Sequence, residues 1–242
     1  MSPSDVARRL SAVRASTDRF VRTLVDLRLD DATVRVPSLL PGWTRGHVLT
    51  HLARDADAMR GALAGALRGE PTPMYPAGAA ARAADIDAGA GRPAGALLAD
   101  VADTAERLDQ AWSRMTEEAW DVDTPTLTGP SAAWRLLGLR WREIEIHWVD
   151  LDVGHRPSDW PASFASPLLP ALASADRLGP RLPAGLSVDL DVADTGQLLS
   201  VTNGPARITV SGPSWALVGW LVGRPAAVRA ELGDTPPLAP WS

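Results

Sequence analysis

The segment AAWRLLGLRWREIEIHWVDLD, residues 132–152, decides the fold, because it is the most apolar stretch of the chain with helical spacing. Leucine, isoleucine and tryptophan recur at intervals of three and four residues, which predicts a long helix. Arg140, Glu143, His147 and Asp150 follow one another at i, i+3, i+7 and i+10 and form one stripe along it. Little of this helix is left to face water. The charged stripe must therefore be paired or bound to a metal inside the protein.

Three long segments upstream show the same periodicity, with one short candidate between them. The first predicted helix is 4–28, with Ser4 as its N-cap, and the second starts at Thr44 after the turn Pro37–Trp43. A short helix is predicted near 79–88, within the Gly/Ala/Pro-rich segment 66–95. The third long helix is predicted over 94–118. Four amphipathic helices of three or more turns bury their apolar faces most simply as a bundle. The sequence therefore predicts a four-helix bundle over residues 1–155.

The character of the chain changes after Gly154. The proline-rich segment 155–185 is expected to pack as a linker without regular structure. The predicted elements beyond it are a half-buried strand from Leu186 to Val192, short strands at Leu198–Val201 and Ile208–Val210, and helices at Trp215–Val222 and Ala226–Leu232. Residues 156–242 are thus predicted to form a small α+β domain, and the whole chain belongs to the α+β class.

Composition excludes several kinds of chemistry. The 242-residue chain carries a formal net charge of −5, which argues against a nucleic-acid partner because phosphate contacts need a basic face. It contains no cysteine and no lysine, so an intrinsic thiol nucleophile, a thiolate metal site and Schiff-base chemistry are all excluded. We expect no membrane span and no signal peptide, and hence a cytoplasmic protein.

Histidine is scarce, and its placement points to a metal. Glu143 and His147 are four residues apart on one helix, and His51 lies on the face of the second helix that should point inward. Two histidines and one glutamate from facing helices suit Zn²⁺ with one coordination position left open. His47 competes with His51 for this role, although its place in the first helical turn favours capping. Glu/His pairs also occur on helices without a metal, so a structural and a metal-binding interpretation both stay open at this point. The fourth histidine, His155, is expected in a loop.

Four segments resemble one known family. They are LLPGWTRGHVLTHLARDADAM (39–59), MYPAGAAARAADIDAG (74–89), WREIEIHWVDLD (141–152) and GPSWALVGWLVGR (212–224). They are similar to the mycothiol-dependent maleylpyruvate isomerase family, within the wider DinB-like group of metal-binding four-helix bundles. The resemblance spans nearly the whole chain.

The resemblance implies a site, two cofactors and a reaction. It implies zinc held by His51, Glu143 and His147, and functional arginines at Arg82 and Arg224. It implies mycothiol as thiol cosubstrate, a dicarboxylic electrophile as small-molecule substrate, and isomerisation of maleylpyruvate to fumarylpyruvate in the cytoplasm as part of gentisate breakdown. The C-terminal domain would then contribute to the active site, and we expect a monomer.

Two other functions fit the same residues. A mycothiol S-transferase acting on a different electrophile would keep the three ligands, and a substrate panel with mycothiol would separate it from an isomerase. A non-catalytic binding or sensor protein on the same scaffold would show no turnover. The binding protein would also lack the arginine pair that the resemblance maps onto Arg82 and Arg224.

Overall fold

A computed structural model describes residues 2–126 and 129–240 and divides the chain into two compact units at Val153–Gly154. The elements of the first unit are α1 (Pro3–Asp26), α2 (Asp31–Val34), α3 (Arg45–Ala66), α4 (Gly78–Ala90), α5 (Ala94–Trp112), α6 (Glu117–Trp120), β1 (Asp123–Thr126), β2 (Gly129–Ala132) and α7 (Arg135–Asp150). The long helices α1, α3, α5 and α7 pack as the predicted bundle. The short hairpin β1–β2 was not predicted.

The bundle forms because each long helix buries one continuous apolar face. Val13 and Phe20 of α1 and Leu137 and Ile144 of α7 are all fully inaccessible to solvent. The α3 helix is buried on more than one side, since it packs against α4, α5 and α7. This central position of α3 places His51 inside the bundle.

Side-chain caps mark the first turns of α1, α3 and α6. Thr44 caps α3 as predicted, with its hydroxyl accepting from the backbone N–H of His47. The N-cap of α1 is Ser2, not the predicted Ser4, because the Ser2 hydroxyl accepts from the Asp5 N–H and Pro3 occupies the first helical position. The predicted helix 94–118 is also too long. It ends at Trp112, and Thr116 caps the separate short helix α6.

Close packing of α4 on α3 depends on a glycine. A Cβ added at Gly46 would lie 2.2 Å from the carbonyl oxygen of Ala90, which is backbone and cannot rotate away. Gly61, on the same helix, has open space around it. We expect Gly46→Ala to lower the free energy of unfolding by about 1–3 kcal/mol through overpacking. Gly61→Ala should raise it by about 0.5–1 kcal/mol because alanine favours the helix.

Chemical denaturation of both variants measures these opposite signs. If Gly46→Ala were as stable as Gly61→Ala, the tight α3–α4 contact would be contradicted.

The second unit joins a three-stranded sheet to a helical layer. Its elements are α8 (Ala162–Leu172), α9 (Ala175–Leu178), β3 (Leu186–Val192), β4 (Gln197–Val201), β5 (Ala206–Gly212), α10 (Ser214–Leu221) and α11 (Pro225–Leu232). In the sheet, β3 lies in the middle, antiparallel to β4 and parallel to β5. The bundle followed by a small α+β unit confirms the predicted fold class.

The prediction of an irregular linker over residues 155–185 was wrong. This segment contains α8, α9 and two 3-10 turns, Pro157–Asp159 and Gly179–Arg181. Pro167 and Pro170 lie inside α8, where each removes a backbone hydrogen bond. The helix forms nevertheless because it buries Phe164 and Leu169 and packs against α10.

Among the described residues, none of the helices combines the length and the apolarity that a membrane span requires.

Candidate metal centre

Three side chains from two neighbouring helices converge inside the bundle. His51 comes from α3, and Glu143 and His147 lie one helical turn apart on α7; ligand atoms of all three lie within 4.8 Å of one another. The Nε2 of His51 is 2.8 Å from Oε2 of Glu143, and the Nε2 of His147 is 3.2 Å from the same oxygen. One carboxylate oxygen therefore sits between two imidazole nitrogens.

Asp150 supports His147 from the side opposite Glu143. Its Oδ2 lies 2.8 Å from Nδ1 of His147, and Asp150 is fully buried. A carboxylate on one ring nitrogen places a proton there and fixes the orientation of the ring, so the other nitrogen is aimed at the site. The Nε2 of His147 is accordingly the nitrogen that faces Glu143 and His51.

The three groups hold different protonation states. Burial, with the charge of His147 nearby, lowers the pKa of His51 to about 4. Burial also opposes charge on His147, but its hydrogen bonds to Asp150 and Glu143 prevail and raise its pKa to about 9. Burial raises the pKa of Glu143, yet the hydrogen bonds from His147 and His51 outweigh it and hold that pKa well below its usual range. At neutral pH Glu143 is an anion and His51 is neutral.

The residues fit a divalent transition metal. Neutral imidazole and carboxylate are the charge states that bind such a metal, and at neutral pH His51 is neutral and Glu143 is ionised. His147 would release one proton on binding. Two nitrogens and one oxygen supply three ligands and leave a fourth position open, which is typical of catalytic rather than structural zinc sites.

Arg82 reaches the same site from α4. Its Nη2 lies 2.9 Å from Nδ1 of His51, and its guanidinium lies 5.2 Å from the centre of the Tyr75 ring. A guanidinium can only donate, so Nδ1 of His51 accepts and the ring proton sits on Nε2, where it is donated to Glu143. Binding of a metal through Nε2 requires the other tautomer, which offers Arg82 no acceptor.

The other predicted residues are His47 in α3 and His155 and Arg224 in the second unit. The Nδ1 of His47 accepts from the Thr44 backbone N–H at 3.1 Å in the capping box of α3, so His47 is not part of the convergent group. His155 belongs to the second unit, in the coil after α7, with Nδ1 3.9 Å from Asp159. Arg224 also belongs to the second unit. It directly follows Gly223, which has a positive φ, and it donates to the Val222 carbonyl.

Two residues near the site were not predicted to belong to it. Tyr75 packs under Arg82, and Asp55, one turn after His51, accepts from Arg140. A charged residue at an inward position of an apolar helix was the signal that could have identified Asp55. Tyr75 precedes α4, and periodicity carries no information about such a residue.

The surroundings of the site come from the bundle itself. The Trp43 ring lies 5.7 Å from the His51 ring, and the His51 and His147 rings are 4.5 Å apart. A cavity of about 510 Å³ in the same unit lies between α1, α5 and α6, and none of the convergent residues lines it. The site is thus defined by its side-chain chemistry and not by that cavity.

Asp150→Asn is expected to weaken zinc binding by about 10- to 100-fold, because the neutral amide no longer enforces the tautomer and basicity of His147. Competition with a chromophoric chelator measures this affinity. Asp152→Asn is the matched control, since Asp152 is two residues away with φ +51°, a conformation that asparagine tolerates. Wild-type zinc affinity in Asp150→Asn would contradict the supporting role of that carboxylate.

Comparisons with known proteins identify a family and a matching fold. The N-terminal domain family of mycothiol maleylpyruvate isomerase matches residues 13–152, more than half of the chain. A crystal structure of the mycothiol-dependent maleylpyruvate isomerase matches with a TM-score of 0.86 and 29% identity, covering 98% of this chain and 97% of the other. A histidine-to-alanine mutant of that isomerase matches equally well. A comparison with curated protein sequences found no match.

These comparisons confirm the predicted fold class and an isomerase-like enzyme. The match to the family extends from α1 to the end of α7 and includes all three convergent side chains. The chain belongs to the mycothiol maleylpyruvate isomerase family.

Proposed function

We propose that this protein isomerises maleylpyruvate to fumarylpyruvate with mycothiol as thiol cosubstrate, at a zinc ion held by His51, Glu143 and His147. The observation that carries this proposal is the convergence of these three side chains, with Arg82 beside them, in a fold that matches the isomerase. An open fourth position is what a thiol cosubstrate needs.

The thiol has to come from outside, because the chain contains no cysteine. Bound zinc would keep the sulfur of mycothiol as a thiolate at neutral pH, which is the nucleophilic form. Glu143 and the two histidines would hold that ion, and three protein ligands would leave one coordination position for the sulfur.

The reaction balances without an oxidant or a reductant. The thiolate adds to one carbon of the cis double bond, and the electron pair moves onto the conjugated carbonyl oxygen. The former double bond is now single and rotates. When the electron pair returns, the carbon–sulfur bond breaks, the trans double bond forms, and the thiolate is regenerated.

Arginine is suited to hold the substrate in place during rotation. A guanidinium binds a carboxylate through two parallel hydrogen bonds, which fixes orientation as well as position. In the structure Arg82 donates to Nδ1 of His51. A substrate carboxylate is a stronger acceptor, and we assign Arg82 to one carboxylate of the substrate and Arg224 to the other.

The test is a reaction with limiting mycothiol. Zinc-loaded protein is mixed with maleylpyruvate and about one-fiftieth as much mycothiol, and both isomers and the thiol are followed by proton NMR. We expect complete conversion to fumarylpyruvate with mycothiol recovered unchanged, and no conversion in protein treated with a chelator.

Other outcomes would contradict the proposal. Consumption of mycothiol in step with a thioether product would indicate an S-transferase. No reaction of maleylpyruvate or of a panel of other electrophiles would indicate a binding protein.

A further inference from the structure

A buried ion pair links the two helices that carry the candidate ligands. Asp55 lies one turn after His51 on α3, and Arg140 lies one turn before Glu143 on α7. The Nη1 of Arg140 donates to Oδ2 of Asp55 at 2.9 Å and to the carbonyl oxygen of Leu52 at 2.8 Å. Arg140 of α7 is thus hydrogen-bonded to the backbone of α3 at Leu52, the residue directly after His51.

Stability of the bundle alone does not explain why this ion pair is buried. Asp55 and Arg140 are 3% and 1% exposed, so both charges have lost nearly all contact with water. Within the described part of the chain, Nε and Nη2 of Arg140 make no hydrogen bond. Apolar residues of similar volume usually stabilise a core at least as well as a buried ion pair does.

The pair acts across the same interface as the candidate ligands. His51 faces Glu143 from α3 to α7 at 2.8 Å, and a sliding of one helix against the other would separate them. A ligand set has to be held within about 0.5 Å of its productive geometry. Asp55 also faces a third segment, because its Oδ1 lies 3.4 Å from the hydroxyl of Tyr75, whose ring packs under Arg82.

We propose that Asp55 and Arg140 are positioning residues that fix the register of α3 against α7 and hold His51 opposite Glu143 and His147. Their contribution is to metal affinity and not to the stability of the bundle. This proposal rests on the proposed function, since it concerns the same three ligands.

The test separates affinity from stability. The double variant Asp55→Leu/Arg140→Met removes one charge of each sign, so the net charge beside the ligands does not change. Zinc affinity is measured by competition with a chromophoric chelator, and stability by chemical denaturation in excess chelator. We expect the zinc Kd to rise about 10-fold or more, while stability equals or exceeds that of the wild type.

A second ion pair of α3 provides the control. Arg54 pairs with Asp100 of α5, a helix that supplies none of the candidate ligands, at 2.7 Å. Arg54→Met/Asp100→Leu also removes one charge of each sign, and its zinc Kd should stay within about threefold of the wild-type value.

The single variant Arg140→Met keeps the test decisive if the double variant does not fold. It leaves only a carboxyl group buried, which can take up a proton. Loss of a nearby positive charge would by itself tighten the binding of a dication, whereas loss of the helix register weakens it. We expect a zinc Kd at least about threefold higher than in the wild type.

Wild-type zinc affinity in the double variant, or equal or tighter binding in Arg140→Met, would overturn this proposal alone. A wild-type protein without a zinc site would overturn the proposed function and this proposal together.

Discussion

His51→Ala is expected to reduce the zinc content of the purified protein from about one ion per chain to a trace, and its turnover by about 10³-fold or more. His51 is nearly fully buried, its Nε2 is directed at Glu143, and its ring lies 4.5 Å from the His147 ring. Without it only two ligands remain, both on α7. Elemental analysis of the dialysed protein measures the metal, and the limiting-mycothiol reaction measures turnover.

His47→Ala is the matched control for this experiment. His47 lies four residues earlier on the same helix but serves in the capping box with Thr44. Its loss should leave zinc content unchanged and lower stability by about 1 kcal/mol. Full zinc content in His51→Ala together with loss in His47→Ala would move the ligand to His47. Full zinc content in His147→Ala would contradict the assignment of His147 as a metal ligand.

Arg224→Ala is expected to cut turnover by about 10²-fold while folding and zinc content stay at wild-type values. In the structure its Nη1 donates to the Val222 carbonyl, a contact near a helix C-terminus that contributes only about 0.3–1 kcal/mol to stability. A loss of turnover of about 10²-fold without a matching loss of stability would therefore reflect a lost substrate contact. Steady-state kinetics, zinc analysis and thermal melting measure the three quantities.

Arg224→Lys separates charge from geometry at this position. A lysine ammonium keeps the charge but cannot form two parallel hydrogen bonds to a carboxylate, so it should restore only part of the lost turnover. Near wild-type turnover in Arg224→Ala with an unchanged melting temperature would contradict the substrate role of Arg224.

The bundle and the ligand-bearing face of α7 could be predicted because both depend on local periodicity. Glu143 and His147 share a face at any register of the bundle, since four residues make about one helical turn. The choice between His51 and His47 depended on a finer signal. Thr44 at the N-cap with His47 three residues later matches a capping pattern in which the third helical side chain turns back to the cap.

The contacts of Arg82 and Asp55 could not be predicted from periodicity. Arg82 meets His51 because α4 lies close against α3, and that approach depends on the absence of a Cβ at Gly46, far from Arg82 in sequence. The register of α7 against α3, which pairs Arg140 with Asp55, is likewise set by packing of whole helix faces.

The error over residues 155–185 has a different cause. Proline is a local signal that ends helices, whereas burial of one apolar face can offset two lost hydrogen bonds. Phe164 and Leu169 supply that face in α8.

We propose that His51, Glu143 and His147 hold a metal whose open position takes the sulfur of mycothiol. Cobalt(II) substituted for zinc tests it most directly, because a thiolate bound to cobalt gives a sulfur-to-metal charge-transfer absorption in the near ultraviolet. We predict that this band appears in the wild-type protein when mycothiol is added, saturates at one thiol per chain, and is absent with S-methylated mycothiol and in His147→Ala. A cobalt-loaded wild-type protein whose spectrum does not change on adding mycothiol would contradict binding of the thiol to the metal.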